Sequence, residues 1–276
     1  MVGTAPPVRR WLLIEHPGPW AVDALAGSGI EPGVQARLRT ASDAVGGRVV
    51  LVRRTGRRTR SAARAWAVVD SDRGTVSWGR WRGDDDLLGA LPGLAGEPAE
   101  ASRELLLLVC THGRRDTCCA VRGRPVAAAL AARWPEATWE CSHVGGDRFA
   151  PNVVVLPDGF YYGGLEPSSA MEVVDAHVSG AVDAKHLRGL CREPVVAQAA
   201  VAAVHDRLGP APAGSVRSTS VDRLHDGRWL VRLATPRGAV EATIGVTLSE
   251  PARLTCRATH DSRARSYEVR AFDVGR

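Results

Sequence analysis

The stretch "RELLLLVCTHGRRDTCCAVRGRPVAAALAARWPEATWECSH", residues 103–143, decides how the chain is read. It opens on a short unbroken apolar run, "LLLLVC". A run of this length with polar neighbours fits a strand buried on both faces. A polar, glycine-bearing loop follows. "GRPVAAALAARW" (123–134) is alanine-rich with a helical pattern. A second strand, "ATWECSH" (137–143), comes after it. Strand, helix and strand in that order predict two parallel strands joined by a crossover helix. The loops leaving the C-terminal ends of such strands emerge at one edge of the sheet, where open α/β sheets place ligands.

Downstream, "APNVVVLPDGFYYGGL" (150–165) reads as a hairpin turning at "PDG", and "PVVAQAAVAAVHDRLG" (194–209) as a long helix ended by glycine. Upstream, "RRWLLIEH" (9–16), "RVVLVRR" (48–54), "RAWAVVD" and "TVSWGRW" read as strands. "GVQARLRTASDAVG" (33–46) and "DDDLLGAL" read as helices, and "RRTGRRTRSAAR" (53–64) as a basic hairpin tip. After a linker at "PAPAG", the stretches "SVRSTSVDRL", "RWLVRLAT", "AVEATIGVTL" and "SYEVRAFDV" alternate as antiparallel strands do. The order predicts an α/β fold with a thioredoxin-like core over residues 101–210. An N-terminal α/β part (1–100) packs on that core, and C-terminal antiparallel strands (211–276) are appended to it.

A chain of 276 residues, 45% hydrophobic, is long enough for a sizeable core. Its net charge is +6, and Lys185 is its one lysine. The arginine and alanine bias reads as a GC-rich coding sequence. Guanidinium groups also suit acidic partners. No nucleic-acid partner is expected. No apolar run approaches a membrane span, and the N-terminal run is too short for a signal peptide. The expectation is a cytoplasmic protein without membrane attachment, and therefore cysteines that do not form structural disulfides.

Cys110, Cys118 and Cys119 fall within one short stretch, which points to metal or redox chemistry. Cys191 and Cys256 stand apart and read as buried small apolar residues. Cys110 closes the buried strand, and Cys119 completes a C-x8-C step. "CSHVGGDRFAPN" (141–152) then sets His143 and Asp147 four residues apart across a glycine pair. Glycine pairs favour a loop over a helix interior. If the two strands are parallel neighbours, two thiolates, an imidazole and a carboxylate can meet where their loops emerge.

"VCTHGRRDTCCAVRGRPVAAAL" and "WECSHVGGDRFAPNVVVLPDGFYYGGLEP" resemble the sucrase/ferredoxin-like family, the thioredoxin-like ferredoxins. The resemblance extends more weakly to "WLLIEHPGPW" and to the helix at 194–208. It implies a thioredoxin-like fold holding a 2Fe–2S cluster through C-x8-C and H-x-x-x-H. Here those positions are Cys110, Cys119, His143 and Asp147, so aspartate stands where the second histidine is expected. The resemblance implies a one-electron carrier rather than an enzyme, with redox donor and acceptor proteins that the sequence does not identify. No paired carboxylates support glycosidase chemistry.

Several assignments stay open on sequence alone. Asp147 is either a ligand or a loop-capping or Arg-paired carboxylate. Cys118 is a spare thiol or an alternative ligand. His112 sits at C-x-H spacing but reads as a loop group, and Cys141 is a rival ligand on the strand. Arg115, Asp116 and Arg148 read as residues that pin the loops. Two other functions fit the same residues: a zinc-binding structural or interaction module, and a thiol–disulfide oxidoreductase, although C-x-x-C is missing.

Overall fold

The computed structural model describes residues 1–56, 63–97, 100–209 and 211–275. The basic tip at 53–64 lies largely outside the described residues. The buried strand expected near residue 106 is β5 (Leu106–Cys110), and all five of its residues are buried. It runs parallel to β6 (Thr138–Cys141), with Cys110 paired to Cys141. The crossover between them is α3 (Thr117–Arg133). β7 (Asn152–Leu156) lies antiparallel on the other side of β5 and turns back into β8 (Phe160–Gly163).

β9 (Leu187–Leu190) closes this edge of the sheet. On the other side β2 (Arg48–Arg53) pairs antiparallel with β6. β1 (Arg10–Glu15), β3 (Arg64–Asp70) and β4 (Thr75–Trp81) extend the sheet from there. The result is one mixed sheet of nine strands in the order β4-β3-β1-β2-β6-β5-β7-β8-β9. The strands of residues 1–100 are thus hydrogen-bonded into the same sheet as β5. α1 (Pro32–Ala44) and the short α2 (Leu91–Ala95) cover that N-terminal half. A 3-10 turn over Asp84–Ala90 leads into α2.

A separate antiparallel sheet holds β10 (Arg217–Arg223), β11 (Trp229–Thr235), β12 (Gly238–Leu248) and β13 (Arg265–Val274) in chain order. The helix expected at 194–209 is α5 (Val195–Arg207). It packs against β9 and against all four strands of the second sheet, so residues Ala197 to His205 are all buried. A helix covered on nearly all sides can be apolar all round. That accounts for the sequence "VVAQAAVAAV".

Three local readings need correction. α3 starts at Thr117, six residues before the expected Gly123, so Cys118 and Cys119 lie in a helix rather than in a loop. Asp116 caps the helix, its Oδ1 accepting the Cys118 N–H at 2.9 Å, and this places the start at 117. Gly123 and Pro125 resemble a helix start but sit inside the helix. A Cβ at Gly123 would lie 2.2 Å from the Cys110 carbonyl oxygen, so this glycine lets α3 approach the end of β5. The sequence reading also left out α4 (Pro167–Val178) and β9.

Candidate metal centre

Cys110 ends β5, and Cys119 occupies the first turn of α3 with its side chain turned inward. Both are fully buried. His143 follows β6. One donor atom from each of Cys110, Cys119 and His143 lies within 4.8 Å of the other two. Asp147 borders this trio without belonging to it. Its Oδ1 is 3.6 Å from Cys119 Sγ and 2.9 Å from His143 Nδ1. The second contact is an ion pair that ties the buried ring nitrogen to the carboxylate.

The electrostatics are those of a tight donor cluster. Hydrogen bonds from the Cys119 and Cys141 thiols hold Cys110 well below the usual thiol range; burial opposes the shift and His143 assists it. Cys119 is pushed far above that range by its bond to Cys110, by burial and by nearby negative charge. Burial opposes a charge on His143, but the contacts with Asp147 and Cys110 outweigh it and raise the imidazole pKa to about 9. Burial pushes the Cys141 thiol up, and its bond to Cys110 adds to the shift.

The loop that carries His143 and Asp147 is irregular, and side chains from distant segments hold it in place. Arg48 Nη1 donates to the Val144 carbonyl at 2.8 Å. Arg188 Nη1 donates to the Gly145 carbonyl at 3.0 Å and to Asn152 Oδ1 at 2.8 Å. Asn152 Nδ2 donates to the Gly146 carbonyl at 2.9 Å. Arg188 is fully buried, and burial lowers its pKa to about 10, so it stays charged at neutral pH. Gly145 and Gly146 have φ of 92° and 83°. A Cβ at Gly146 would sit 2.3 Å from Arg188 Nη2. The glycine pair therefore supplies both the left-handed bend and the room for the guanidinium.

The other arm has its own braces. Glu140, buried on β6, accepts from Arg53 at 2.7 Å and from Thr111 Oγ1 at 2.9 Å. This ties the residue after Cys110 to the neighbouring strands. His112 accepts the His143 N–H on Nδ1 at 3.2 Å and donates from Nε2 to the Ala21 carbonyl at 2.6 Å. With both ring nitrogens engaged it braces the second arm and has no free nitrogen for a metal.

Cys118 and Cys256 correct the expectation that no disulfide forms. The two are disulfide-bonded across 138 residues. Cys256 is exposed rather than a buried apolar residue. Cys141 and Cys191 are buried. Asp116 pins two segments, accepting from Cys118 N on one oxygen and from Cys256 N at 3.0 Å on the other. The sequence reading did not single out Arg188. A lone arginine in an arginine-rich chain carries no signal of burial.

A family model described as sucrase/ferredoxin-like matches residues 1–189, more than half of the chain and both arms of the site. The chain belongs to the sucrase/ferredoxin-like family. No curated protein and no solved structure matches it. The match spans Cys110, Cys119, His143 and Asp147. It ends within β9, so the second sheet and Cys256 lie beyond it. Among the described residues of this family member, no helix is long and apolar enough to cross a membrane.

Proposed function

We propose that this chain binds a 2Fe–2S cluster through Cys110, Cys119, His143 and Asp147 and acts as a one-electron carrier. The observation that carries this reading is the convergence of Cys110, Cys119 and His143 within 4.8 Å, with the Asp147 carboxylate 2.9 Å from the His143 ring. The donor types fit an iron–sulfur group: two thiols, one imidazole and one nearly buried carboxylate. Family membership supports the same reading. So does the strand order β6-β5-β7-β8, with a parallel pair bridged by α3, an antiparallel hairpin after it and α4 beyond. We read that unit as a thioredoxin-like core.

A cluster bound there would accept and release one electron. The protein's residues set the terms. Cys110 is already biased toward the thiolate that binds metal. His143 must give up its ring proton to bind, so loading releases protons. The Asp147 carboxylate adds a negative charge, and the buried Arg188 guanidinium partly offsets it. Burial of both cysteines keeps water from the thiolate side. His143 is 23% exposed, toward a cavity of about 380 Å³ that Arg39, Arg48 and Arg115 also line. Asp23 and Asp43 line it too, and Asp23 pairs with Arg39 at 2.7 Å, so a donor or acceptor protein would meet a mixed charged face there.

One observation favours a second reading. Three donors this close together also suit a single tetrahedral zinc ion, whose ligand atoms lie about 3.5 Å apart. Anaerobic reconstitution followed by iron, sulfide and zinc analysis separates the two. We expect about two irons and two sulfides per chain and a red-brown protein. Stoichiometric zinc in a colourless protein that takes up no iron overturns the proposal.

A further inference from the structure

The proposed metal chemistry leaves a second cysteine pair unused. Cys118 and Cys119 are neighbours in the first turn of α3, and a helical step of about 100° turns their side chains apart. Cys119 faces Cys110 and Asp147. Cys118 is half-buried and is bonded to Cys256. Cys256 lies in the long connection over residues 249–264, between β12 and β13. None of the residues in that connection is buried. Its backbone pairs with itself, as between Ala252 and Ser262. Among the described residues, two ties hold it to the body of the protein: the disulfide, and the Cys256 N–H donated to the buried Asp116 carboxylate.

This connection also covers one flank of the candidate centre. Leu254, Thr255 and Arg263 line a cavity of about 350 Å³ together with Gly146, Asp147 and Arg148. A segment with no apolar anchor depends on its few specific ties. Removing the covalent one leaves a single hydrogen bond to hold it.

We propose that Cys118–Cys256 is a redox-active couple that latches the 249–264 segment over the Asp147 flank. The co-reactant is a dithiol, either a small molecule or a protein. Its thiolate attacks Cys256 Sγ, the sulfur on the exposed residue of the pair, and forms a mixed disulfide. The Cys118–Cys256 bond breaks, and Cys118 leaves as a thiolate that takes a proton from water. The second thiol of the reductant then displaces Cys256. Two electrons and two protons pass to the protein, and the reductant becomes a disulfide. An oxidised dithiol returns the latch by the reverse steps. Exposed disulfides are the labile ones, which distinguishes this bond from a buried structural staple. The proposal rests on the metal-centre reading only for what the latch covers.

The test uses the full chain under native conditions, without iron, so that its failure is distinct from failure of the cluster. Dithiothreitol is applied, thiols are alkylated and peptides are mapped. Trypsin cleavage after Arg253, Arg257 and Arg263 and hydrogen exchange over residues 146–149 are followed in parallel. We expect alkylation at Cys118 and Cys256 with the circular dichroism spectrum unchanged. Cleavage in the loop should be about tenfold faster, and exchange at 146–149 should rise. Cys256→Ser should show the same fast cleavage without reductant. Cys118 and Cys256 that stay unalkylated in the folded, reduced protein overturn the proposal. So does a Cys256→Ser variant cleaved at the oxidised wild-type rate.

Discussion

The two arms of the candidate centre are positioned in different ways. The backbone places Cys110 and Cys119. One ends a central strand, the other sits in the capped first turn of a helix, and Gly123 sets how closely the two approach. Side chains from elsewhere place His143 and Asp147. Their loop has no regular structure beyond a single 3-10 turn, and it hangs on Arg48, His112, Asn152 and Arg188. An arm made of secondary structure inherits its precision from local sequence. An arm made of loop must obtain it from residues that sequence proximity does not reveal.

The largest expected effect lies on the backbone-built arm. Cys110→Ser and Cys119→Ser should each abolish cluster incorporation, as read by iron and sulfide per chain and the visible spectrum. Cys118→Ser should retain it, because Cys118 lies outside the trio and is bonded to Cys256. A Cys118→Ser protein that loses the cluster while Cys119→Ser keeps it would shift the ligand register by one and break the comparison at its root.

On the loop-built arm the strongest effect should come from Arg188, which touches no proposed ligand side chain. Arg188→Leu strips donors from the half-buried Gly145 carbonyl, the buried Asn152 side chain and Thr4. Leaving such acceptors unsatisfied costs about 1–3 kcal/mol each, so a loss of about 4 kcal/mol in urea unfolding is expected. Hydrogen exchange should rise first at residues 143–149. A loss below about 1 kcal/mol, within the range of ordinary surface substitutions, would mean that the loop holds its own shape. Gly123→Ala tests the scaffold of the other arm. The added methyl meets the Cys110 carbonyl oxygen, a backbone atom, so α3 must shift away from β5. About 2 kcal/mol of destabilisation is expected in the same assay.

The same division explains what the sequence revealed. The buried β5, the parallel partner β6, the β7–β8 hairpin, the all-apolar α5 and the four alternating strands of the second sheet follow from local pattern. The start of α3 was misread because Gly123 and Pro125 imitate a helix start, while the cap at Asp116 is a single polar residue in a polar loop. β9 is four residues, "LRGL", with a glycine and a charged residue, and shows no alternation. α4 carried a usable cue that was passed over, proline at its first position after Glu166. Arg188 and the Cys118–Cys256 bond were illegible for a different reason. Both depend on contacts across long sequence separations, and no local pattern encodes those.

Asp147 offers the finest test, because it lies on the loop arm at the family's second histidine position. If its carboxylate binds iron, Asp147→His replaces an anionic donor with a neutral one. The two thiolates cancel the charge of the oxidised cluster core, so the oxidised site would pass from one net negative charge to none. Reduction adds an electron, and adding it to a less negative site is less unfavourable. The midpoint potential should therefore rise, on the order of 100 mV given how far histidine ligation lifts such clusters. A second imidazole would also link a proton to reduction and steepen the pH dependence of the potential. Asp147→Ala should instead leave an open iron position and a cluster that decays faster in air. A carboxylate that only supports the loop makes the opposite forecast, since its nearest contacts are then His143 and Cys119 rather than a metal. In that case both variants keep the wild-type spectrum, and the potential moves little at any pH. Redox titrations of the three proteins across pH decide between them. Three matching curves would take Asp147 out of the ligand set and leave the fourth position to Cys141, since Cys118 is bound to Cys256 and both nitrogens of His112 are engaged.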